Sequence, residues 1–301
     1  MRVAFLADIH GNLPALEAVI ADLKVQAPDQ VVLVGDQINR CPWTNEVLDL
    51  LAGFDWPTIY GNHEYIIARL GTPENFYPFT DPLRYPTLWW THARLTPSHL
   101  AALHQLPAEL TLTYPDLPSI YVTHGLPGNC YRGFLPEDSD DHIHQLLEHV
   151  EPSYIVSAHT HRPMDRSVPS GGTETSKILN GLHPQASKCR ILNPGSVGLP
   201  YNGDVRAQYL LLDSQIGEWL PVFRQIDYDI DRLVKEFETS PMRQEVGPEV
   251  ELHLRTALTG LPWSSDFSFW LYHQPSDLQR NLEIALPLYL HKHGPGHWAF
   301  A

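Results

Sequence analysis

Short apolar runs in this chain repeatedly end in Asp, Asn or His, the side-chain types that bind divalent metal ions. Carboxylate, amide and imidazole groups without a thiolate suit Mn²⁺, Fe, Zn²⁺ or Mg²⁺ and do not suit a structural cysteine zinc site. Seven such groups are too many for one open catalytic ion and about right for two. These candidate metal ligands are Asp8, His10, Asp36, Asn62, His124, His159 and His161.

A pair of bound metal ions favours one kind of chemistry. Two ions placed roughly 3.5–4 Å apart stabilise both the attacking and the leaving oxygen of an in-line displacement. A carboxylate has two oxygens and can contact both ions, and we expect Asp36 to be this bridge. The candidate ligands therefore predict a two-metal site.

The segments that carry these ligands alternate between strand and helix patterns. Apolar runs predict strands over residues 3–7, 31–34, 58–60, 120–123 and 154–157. Helical spacing of apolar residues predicts helices over residues 13–27, 46–51 and 138–150. This alternation favours an α/β layered fold with parallel strands. In such folds ligands bind beyond the carboxyl ends of the strands, where all the candidate ligands lie.

The rest of the chain is less regular. Residues 71–97 are rich in Pro and aromatic residues and predict an irregular insertion with some helix, which either packs on the sheet or lines a substrate site. Further strand patterns occupy 177–179, 190–192, 207–212 and 219–225, the last two as a hairpin. Helical patterns occupy 230–238, 250–258 and 278–291. We expect one domain over 1–262, with the insertion at about 71–97, and a helical C-terminal extension over 263–301 packed on the same domain.

Composition restricts the classes of partner. The chain has 301 residues, with 20 basic against 35 acidic residues and a formal net charge of −15. This balance argues against a long nucleic acid and against an anionic membrane surface, both of which need a basic face. Two divalent ions would reverse the sign of the charge locally, so a small phosphoester remains compatible. Three cysteines without a framework and an N-terminus unlike a signal peptide favour a cytoplasmic protein; a homo-oligomer is left open.

Five ordered motifs carry a resemblance to a known family. They are Asp8-x-His10, Gly35-Asp36, Gly61-Asn62-His63-Glu64, His124-Gly125 and Ala158-His159-x-His161, and they resemble the calcineurin-like metallophosphoesterase superfamily. The stretches ADIHGNLPALEAV, TNEVLDLL, AHTHRP and LNPGSVGLP look like its bacterial phosphodiesterase-type branch. The resemblance covers roughly residues 1–225. It implies a four-layer α/β/β/α sandwich, with two central sheets flanked by helices around a dinuclear metal centre.

The resemblance also implies a role for each ligand. One metal ion would be held by Asp8, His10, Asp36 and His161, and the other by Asp36, Asn62, His124 and His159. A hydroxide bridging the two ions would attack phosphorus. His63 is left without a metal, and it would bind the phosphate or protonate the leaving oxygen as a catalytic residue. An orienting role for His63 is the alternative.

Some positions depart from the family pattern. Ala158 replaces the glycine that usually precedes the paired histidines. The stretch GDQINRC resembles the GDxVDRG loop of the serine/threonine protein phosphatase branch, with Asn39 in place of Asp and Cys41 in place of Gly. In that branch the arginine grips phosphate, so Arg40 is a candidate phosphate contact, against the alternative of a surface arginine. Asn193 either supports the site or is a solvent-exposed turn residue.

The pattern as a whole predicts a metal-dependent phosphoesterase, with phosphodiester hydrolysis favoured. A phosphomonoesterase or protein-phosphatase-like enzyme is the alternative, and a non-catalytic scaffold of the same fold is a third. We expect two divalent metal ions, with manganese favoured and iron, zinc, nickel and magnesium open. The substrate is expected to be a small phosphoester, with a nucleotide among the candidates.

Overall fold

Two five-stranded sheets form the centre of the computed structural model, which describes residues 1–148, 150, 152–169 and 188–292. The first sheet contains, in spatial order, β10 (Glu218–Ile226), β9 (Ala207–Gln215), β1 (Arg2–Leu6), β2 (Gln30–Val34) and β3 (Thr58–Ile59). The second contains β4 (Glu109–Tyr114), β5 (Leu117–Thr123), β6 (Tyr154–Ser157), β8 (Lys188–Asn193) and β7 (Met164–Pro169).

Each sheet has a parallel centre. Strands β1, β2 and β3 run parallel in the first sheet, as do β5, β6 and β8 in the second, while the remaining pairings are antiparallel. The predicted hairpin is confirmed as β9–β10. Because parallel strands end at the same edge, the loops that follow β1–β3 and β5–β6 lie together, as the sequence predicts.

The two sheets face each other through a shared apolar layer. Strand β1 is buried on both faces, with Val3 and Phe5 in the layer between the sheets and Ala4 and Leu6 in the layer beneath the outer helices. The layer between the sheets also takes Val122 and other residues from the second sheet. This double burial explains why the first strand reads as a continuous apolar run.

Helices cover the outer faces of both sheets. Those packed on the first sheet are α1 (Leu13–Gln26), α2 (Thr44–Leu51), α7 (Ile230–Thr239), α8 (Met242–Val246) and α9 (Glu249–Thr259). The second sheet is covered by α6 (Asp140–Leu146). The order of layers is therefore α/β/β/α, and the expected fold class is confirmed. Within the described ranges, no helix has the length and apolar character needed to cross a membrane.

The remaining helices form two separate apolar clusters. One joins α3 (Asn62–Arg69), α4 (Pro86–Arg94) and α5 (Pro97–Leu103) with aromatic residues of the insertion, including Phe76 and Phe79. The other joins α10 (Trp263–Tyr272), α11 (Ser276–Gln279) and α12 (Leu282–Lys292) to Leu252 of α9. The insertion thus holds a helix, as expected, and packs against α3.

Several expected elements differ from the structure. The helix expected over 278–291 is two helices, α11 and α12, which are separated at Arg280 and Asn281; Asn is a weak helix former, and its position marks the break. The helix expected over 138–150 is shorter and spans Asp140–Leu146. The strand pattern at 177–179 lies outside the described residues. Strands β4 and β7 and helices α3, α5 and α8 were not predicted, whereas α10 lies in the extension that was expected to be helical.

Candidate metal centre

All the candidate ligands lie at one edge of the two sheets. The first sheet supplies four of them from the ends of β1, β2 and β3, and the second supplies three from the ends of β5 and β6. Asn62 and His159 are half-buried and the rest are buried. The loops are bonded to each other: Asp8 N donates to Gly35 O at 3.1 Å, and His10 N donates to Asp36 O at 2.9 Å. The ligand loops therefore form one connected surface.

Five ligand positions have a left-handed backbone. Their φ angles run from +51° to +69°, a region that non-glycine residues enter rarely and at a cost of about 1–3 kcal/mol each. Such strain persists only where the surroundings impose it, and it concentrates at functional sites. Here it turns each side chain sharply at the strand end, towards the common centre. The residues are Asp8, His10, Asp36, His159 and His161.

The first cluster of ligand atoms belongs to Asp8, His10 and His161. Asp8 Oδ1 lies 3.4 Å from His161 Nε2 and 3.9 Å from His10 Nε2. The two imidazole Nε2 atoms are 3.1 Å apart. One small cation can therefore contact all three groups.

The second cluster belongs to Asp36, Asn62, His124 and His159. Asn62 Oδ1 lies 3.2 Å from His124 Nε2 and 3.0 Å from His159 Nδ1. Asp36 Oδ2 lies 3.3 Å from His124 Nε2. The same Asp36 oxygen lies 3.7 Å from His10 Nε2 in the first cluster. Asp36 thus borders both clusters, as a bridging carboxylate must.

The charges of the site fit a bound cation. Both oxygens of Asp8 are buried, and burial raises the pKa of this carboxyl. An uncompensated buried carboxylate is costly, and a cation beside it removes the cost. Burial also lowers the pKa of His10 and His161, and lowers that of His159 to about 3. These rings are neutral, which is the form that binds metal.

His124 and Asp36 form a pair with opposite shifts. Burial lowers the pKa of His124, but the carboxylates of Asp36 and Asp8 outweigh this effect and raise it to about 10. For Asp36, burial opposes the charged form, yet the surrounding histidines hold its pKa well below the usual range. The two carboxylates therefore favour a positive charge beside them, which a metal ion can supply.

Backbone carbonyls orient two of the rings. His124 Nδ1 lies 2.8 Å from Val34 O, and His161 Nδ1 lies 2.5 Å from Leu199 O. In each case the Nδ1 hydrogen is donated to the carbonyl, which leaves Nε2 directed at the cluster. Such partners fix the tautomer and angle of metal-binding histidines.

Glu64 ties two ligand loops together. Its carboxylate accepts hydrogen bonds from the backbone N–H groups of Asp36 and Gln37 at 2.8 Å, of Ile38 at 3.2 Å and of Gly61 at 2.8 Å. Glu64 lies in the first turn of α3, where a carboxylate also suits the helix dipole. The GNHE stretch therefore supplies the candidate ligand Asn62 and also Glu64, whose carboxylate holds the backbone beside Asp36.

His63 lies beside the clusters. Thr91 Oγ1 donates to Asn39 Oδ1 at 2.8 Å, so the amide nitrogen of Asn39 faces His63 Nδ1, 2.7 Å away. His63 Nδ1 must then accept, and its hydrogen resides on Nε2, which lies 3.8 Å from Asp36 Oδ2. Burial lowers the pKa of His63 to about 4. The ring is therefore neutral and presents an N–H donor to the site.

Arg40 lies at the same cleft, whose volume is about 380 Å³. Its Nη1 donates to Tyr201 Oη at 2.7 Å, and Tyr201 stacks on His161 with ring centroids 4.1 Å apart. Arg40 also has a left-handed backbone, with φ +72°. The cleft reaches outward past Arg132 and Phe269. The structure thus brings together every site residue predicted from the sequence.

The LNPGSVGLP segment holds the site from behind. Asn193 is buried, so it is not a solvent-exposed turn residue; its Nδ2 donates to Ala158 O at 3.0 Å and supports the loop of the paired histidines. Ser196 Oγ and Gly198 N donate to Asp8 O at 2.8 and 3.0 Å. The supporting roles of Ser196, Gly198 and Thr91 were not predicted, because each depends on contact with a distant part of the chain.

Asp, Asn and His side chains thus gather at the strand ends of an α/β/β/α sandwich, where they could hold metal ions. Residues 1–163 match the calcineurin-like phosphoesterase family, and the chain belongs to it. Members of this family are phosphoester hydrolases that use divalent metals.

Similar proteins share most of the length of the chain. An uncharacterised protein of Methanocaldococcus jannaschii is 23% identical over 254 residues, which are 83% of this chain and 97% of that protein. A metallophosphoesterase from Sphaerobacter thermophilus is 24% identical, with a TM-score of 0.63 over 87% of this chain and 99% of that one. A hypothetical protein from Pyrococcus horikoshii is 21% identical, with a TM-score of 0.65 over 86% and 98%. These likenesses show the shared fold.

Proposed function

We propose that this protein hydrolyses phosphodiesters with two divalent metal ions. One ion would be held by Asp8, His10, Asp36 and His161, and the other by Asp36, Asn62, His124 and His159. The observation that carries this proposal is the position of Asp36, whose Oδ2 borders both clusters of ligand atoms. The buried carboxylate of Asp8 supports it, because a cation beside this group would offset the cost of its burial.

The two ions would supply the hydroxide that attacks phosphorus and would offset the charge of the phosphoryl oxygens. The chain itself contributes the groups around them. His63 Nε2–H donates a hydrogen bond to a phosphoryl or leaving oxygen, and Asn39 keeps that hydrogen in place. Arg40 offers a guanidinium to the phosphate from the wall of the same cleft.

The cleft and its donors suggest the substrate and the metal. A volume of about 380 Å³ suits a small phosphoester, including a nucleotide, more than a polymer. Oxygen and imidazole donors without thiolate suit manganese, and also iron, zinc, nickel and magnesium. With a net charge of −15 on the chain, the bound ions and Arg40 would provide the local positive charge that the phosphate needs.

The test is hydrolysis of bis(4-nitrophenyl) phosphate with Mn²⁺, together with metal analysis of the purified protein. We expect about two ions per chain in the wild type, and a loss of more than about 100-fold in kcat for Asp36→Asn and Asn62→Ala. The matched control is Asp213→Asn, which removes a carboxylate that pairs with Arg2 in the same sheet, far from the cleft.

Three results would each overturn part of the proposal. Wild-type activity in Asp36→Asn would remove the bridging role. A strong preference for 4-nitrophenyl phosphate over the diester would replace the phosphodiesterase with a phosphomonoesterase. Fewer than one metal ion per chain after incubation with Mn²⁺ would favour a non-catalytic scaffold.

A further inference from the structure

A second cavity, of about 200 Å³, adjoins the metal cleft. Both are lined by Arg40, Asn62, His63 and Tyr131, so a group esterified to a phosphate at the metal centre can extend from one into the other. We call it the Glu249 cavity. The polar lining that α4, α9 and α10 contribute is Thr87, Glu249, His253, Ser264 and Ser268.

Hydrogen bonds along this polar lining have a fixed direction. Thr87 Oγ1 donates to Glu249 Oε2 at 2.5 Å. A hydroxyl has one hydrogen, so Thr87 Oγ1 must accept the hydrogen of His253 Nε2 at 3.2 Å. His253 Nδ1 then accepts from Ser264 Oγ at 2.8 Å. Burial lowers the pKa of His253, in keeping with a ring that carries a single hydrogen.

This direction leaves acceptors facing the cavity. Ser264 has given its hydrogen to His253, and Ser268 Oγ gives its hydrogen to Ser264 O at 2.8 Å. Within the described ranges, Thr87 alone hydrogen-bonds to Glu249, and no Arg or Lys forms an ion pair with it. Glu249, Ser264 and Ser268 therefore offer oxygen lone pairs, and a ligand that satisfies them must bring hydrogen-bond donors.

The apolar lining sets the shape of the ligand. Phe79 and Tyr131 line the cavity with nearly parallel rings, 12° apart in orientation and with centroids 6.5 Å apart. They offer flat apolar faces to a ring or a short carbon chain. The acceptor oxygens of Glu249, Ser264 and Ser268 have no hydrogen to offer a second phosphate, and the nearby guanidinium of Arg40 repels an ammonium group. An uncharged group with several hydroxyls meets all these conditions.

We propose that the Glu249 cavity binds the alcohol part of the phosphoester substrate as a polyhydroxy group, a sugar ring or a glycerol unit, whose hydroxyl hydrogens bond to Glu249, Ser264 and Ser268. This inference rests on the proposed function, because the phosphate must sit at the metal centre. A cavity of about 200 Å³ suits one such unit and is smaller than a site for a drug-sized ligand. Through these residues, α9 and α10 take part in selecting the substrate.

The test compares paired substrates of similar shape with and without hydroxyl groups. One pair is the glyceryl and propyl 4-nitrophenyl phosphodiesters, and the other is the 4-nitrophenyl diesters of glucose 6-phosphate and of cyclohexylmethyl phosphate. With Mn²⁺, we expect the wild type to favour the hydroxylated member of at least one pair by about tenfold or more in kcat/KM. The favoured pair distinguishes glycerol from a sugar.

Variants connect this preference to the cavity. We expect Glu249→Gln to reduce the kcat/KM preference for the hydroxylated substrate below about threefold, because the amide replaces an acceptor with a donor. The matched control is Glu251→Gln on the same helix, whose carboxylate accepts from Arg255 at 2.9 Å; it should keep the wild-type preference. Ser268→Ala is a second variant in case Glu249→Gln does not fold, and it should weaken the preference. Equal kcat/KM values within both wild-type pairs would overturn the proposal.

A binding measurement separates this proposal from the proposed function. Glycerol 1-phosphate and propyl phosphate, and then glucose 6-phosphate and cyclohexylmethyl phosphate, are titrated by calorimetry into the protein loaded with Mn²⁺. If no diester is hydrolysed, the phosphodiesterase fails, and binding still decides the cavity. Tighter binding of a hydroxylated member by about tenfold, lost in Glu249→Gln, supports the proposal. Equal binding within both pairs overturns it.

Discussion

The side-chain nitrogen of Asn39 lies 2.7 Å from Nδ1 of His63. This contact decides which nitrogen of the imidazole carries the hydrogen, since an amide N–H donates only to a ring nitrogen without one. Thr91, from the helix of the aromatic insertion, holds Asn39 in that orientation. Two hydrogen bonds therefore link the insertion to His63, one from Thr91 to Asn39 and one from Asn39 to His63.

Replacing Asn39 tests this relationship. We expect Asn39→Leu to lower kcat for an aryl phosphodiester by about 10–100-fold with little change in KM, because His63 loses the partner that sets its tautomer. Asn45→Leu is the control, since Asn45 hydrogen-bonds to Arg94 O and Thr96 N in a helix-connecting segment. A wild-type kcat in Asn39→Leu would mean that the tautomer of His63 does not matter.

Metal removal should weaken the whole fold. Each proposed set of ligands takes residues from both sheets, so bound ions stabilise the folded chain by mass action, by about 2.7 kcal/mol at 100 times Kd. We expect EDTA to lower the melting temperature by roughly 5–10 °C. Differential scanning calorimetry checks this. Asp36→Asn should show almost no response to EDTA, and an equal response in both proteins would contradict the site.

Gly198 allows the backbone to pass close to the Asp8 loop. A Cβ atom at this position would lie 1.9 Å from Ile9 O, a backbone atom that cannot rotate away. We expect Gly198→Ala to cost about 3 kcal/mol of unfolding free energy and to reduce metal content. In Gly203→Ala, where a Cβ meets nothing within 4 Å, the cost should be about 1 kcal/mol from the left-handed backbone alone. Urea titrations that give equal costs would refute this explanation.

His253 should make stability depend on pH. Its pKa is lowered well below 6.5, first by burial and then by Arg40. Below pH 6.5 the unfolded chain binds a proton that the folded chain does not, so the free energy of unfolding falls by about 1.4 kcal/mol per pH unit. Between pH 7.5 and 5.5, the wild type should therefore lose about 1.4 kcal/mol more than His253→Gln.

The control for this prediction is His104→Gln, at an exposed position, which should keep the wild-type pH dependence. Denaturant titrations at the two pH values give the free energy of unfolding that the wild type and each variant lose on acidification. If wild type and His253→Gln lose the same stability on acidification, His253 takes up its proton in the folded state as readily as in the unfolded chain.

The centre of the fold and the ligand positions could be predicted because they leave local signals. Strands β1, β2 and β6 are buried on both faces and read as apolar runs, and the ligands follow them directly. Strand β4 also left a signal, since Leu110 and Leu112 alternate with polar residues, but it was not predicted. Strand β7 gives a weaker sequence signal, because it is an edge strand of the second sheet and contains charged residues and a proline.

The supporting residues could not be predicted, for a different reason. Thr87 and His253 are 166 positions apart, and nothing near either residue indicates that they meet. Helix α10 includes three serines and an aspartate, which are weak helix formers, and it is stabilised by packing of Phe267 and Trp270 on other helices. Tertiary contacts decide these features, and a single sequence does not display them.

The backbone carbonyl of Asp8 is held by Ser196 and Gly198, and β1 pairs with β9 on the side opposite β2. Every proposed metal ligand is made within the first 161 residues, yet β1 gains its second neighbour only with residues 207–215. During synthesis, all the proposed ligands therefore precede the strand that completes the support of β1. We expect the ligand positions to be fixed only late in synthesis, once residues 207–215 have paired with the first strand.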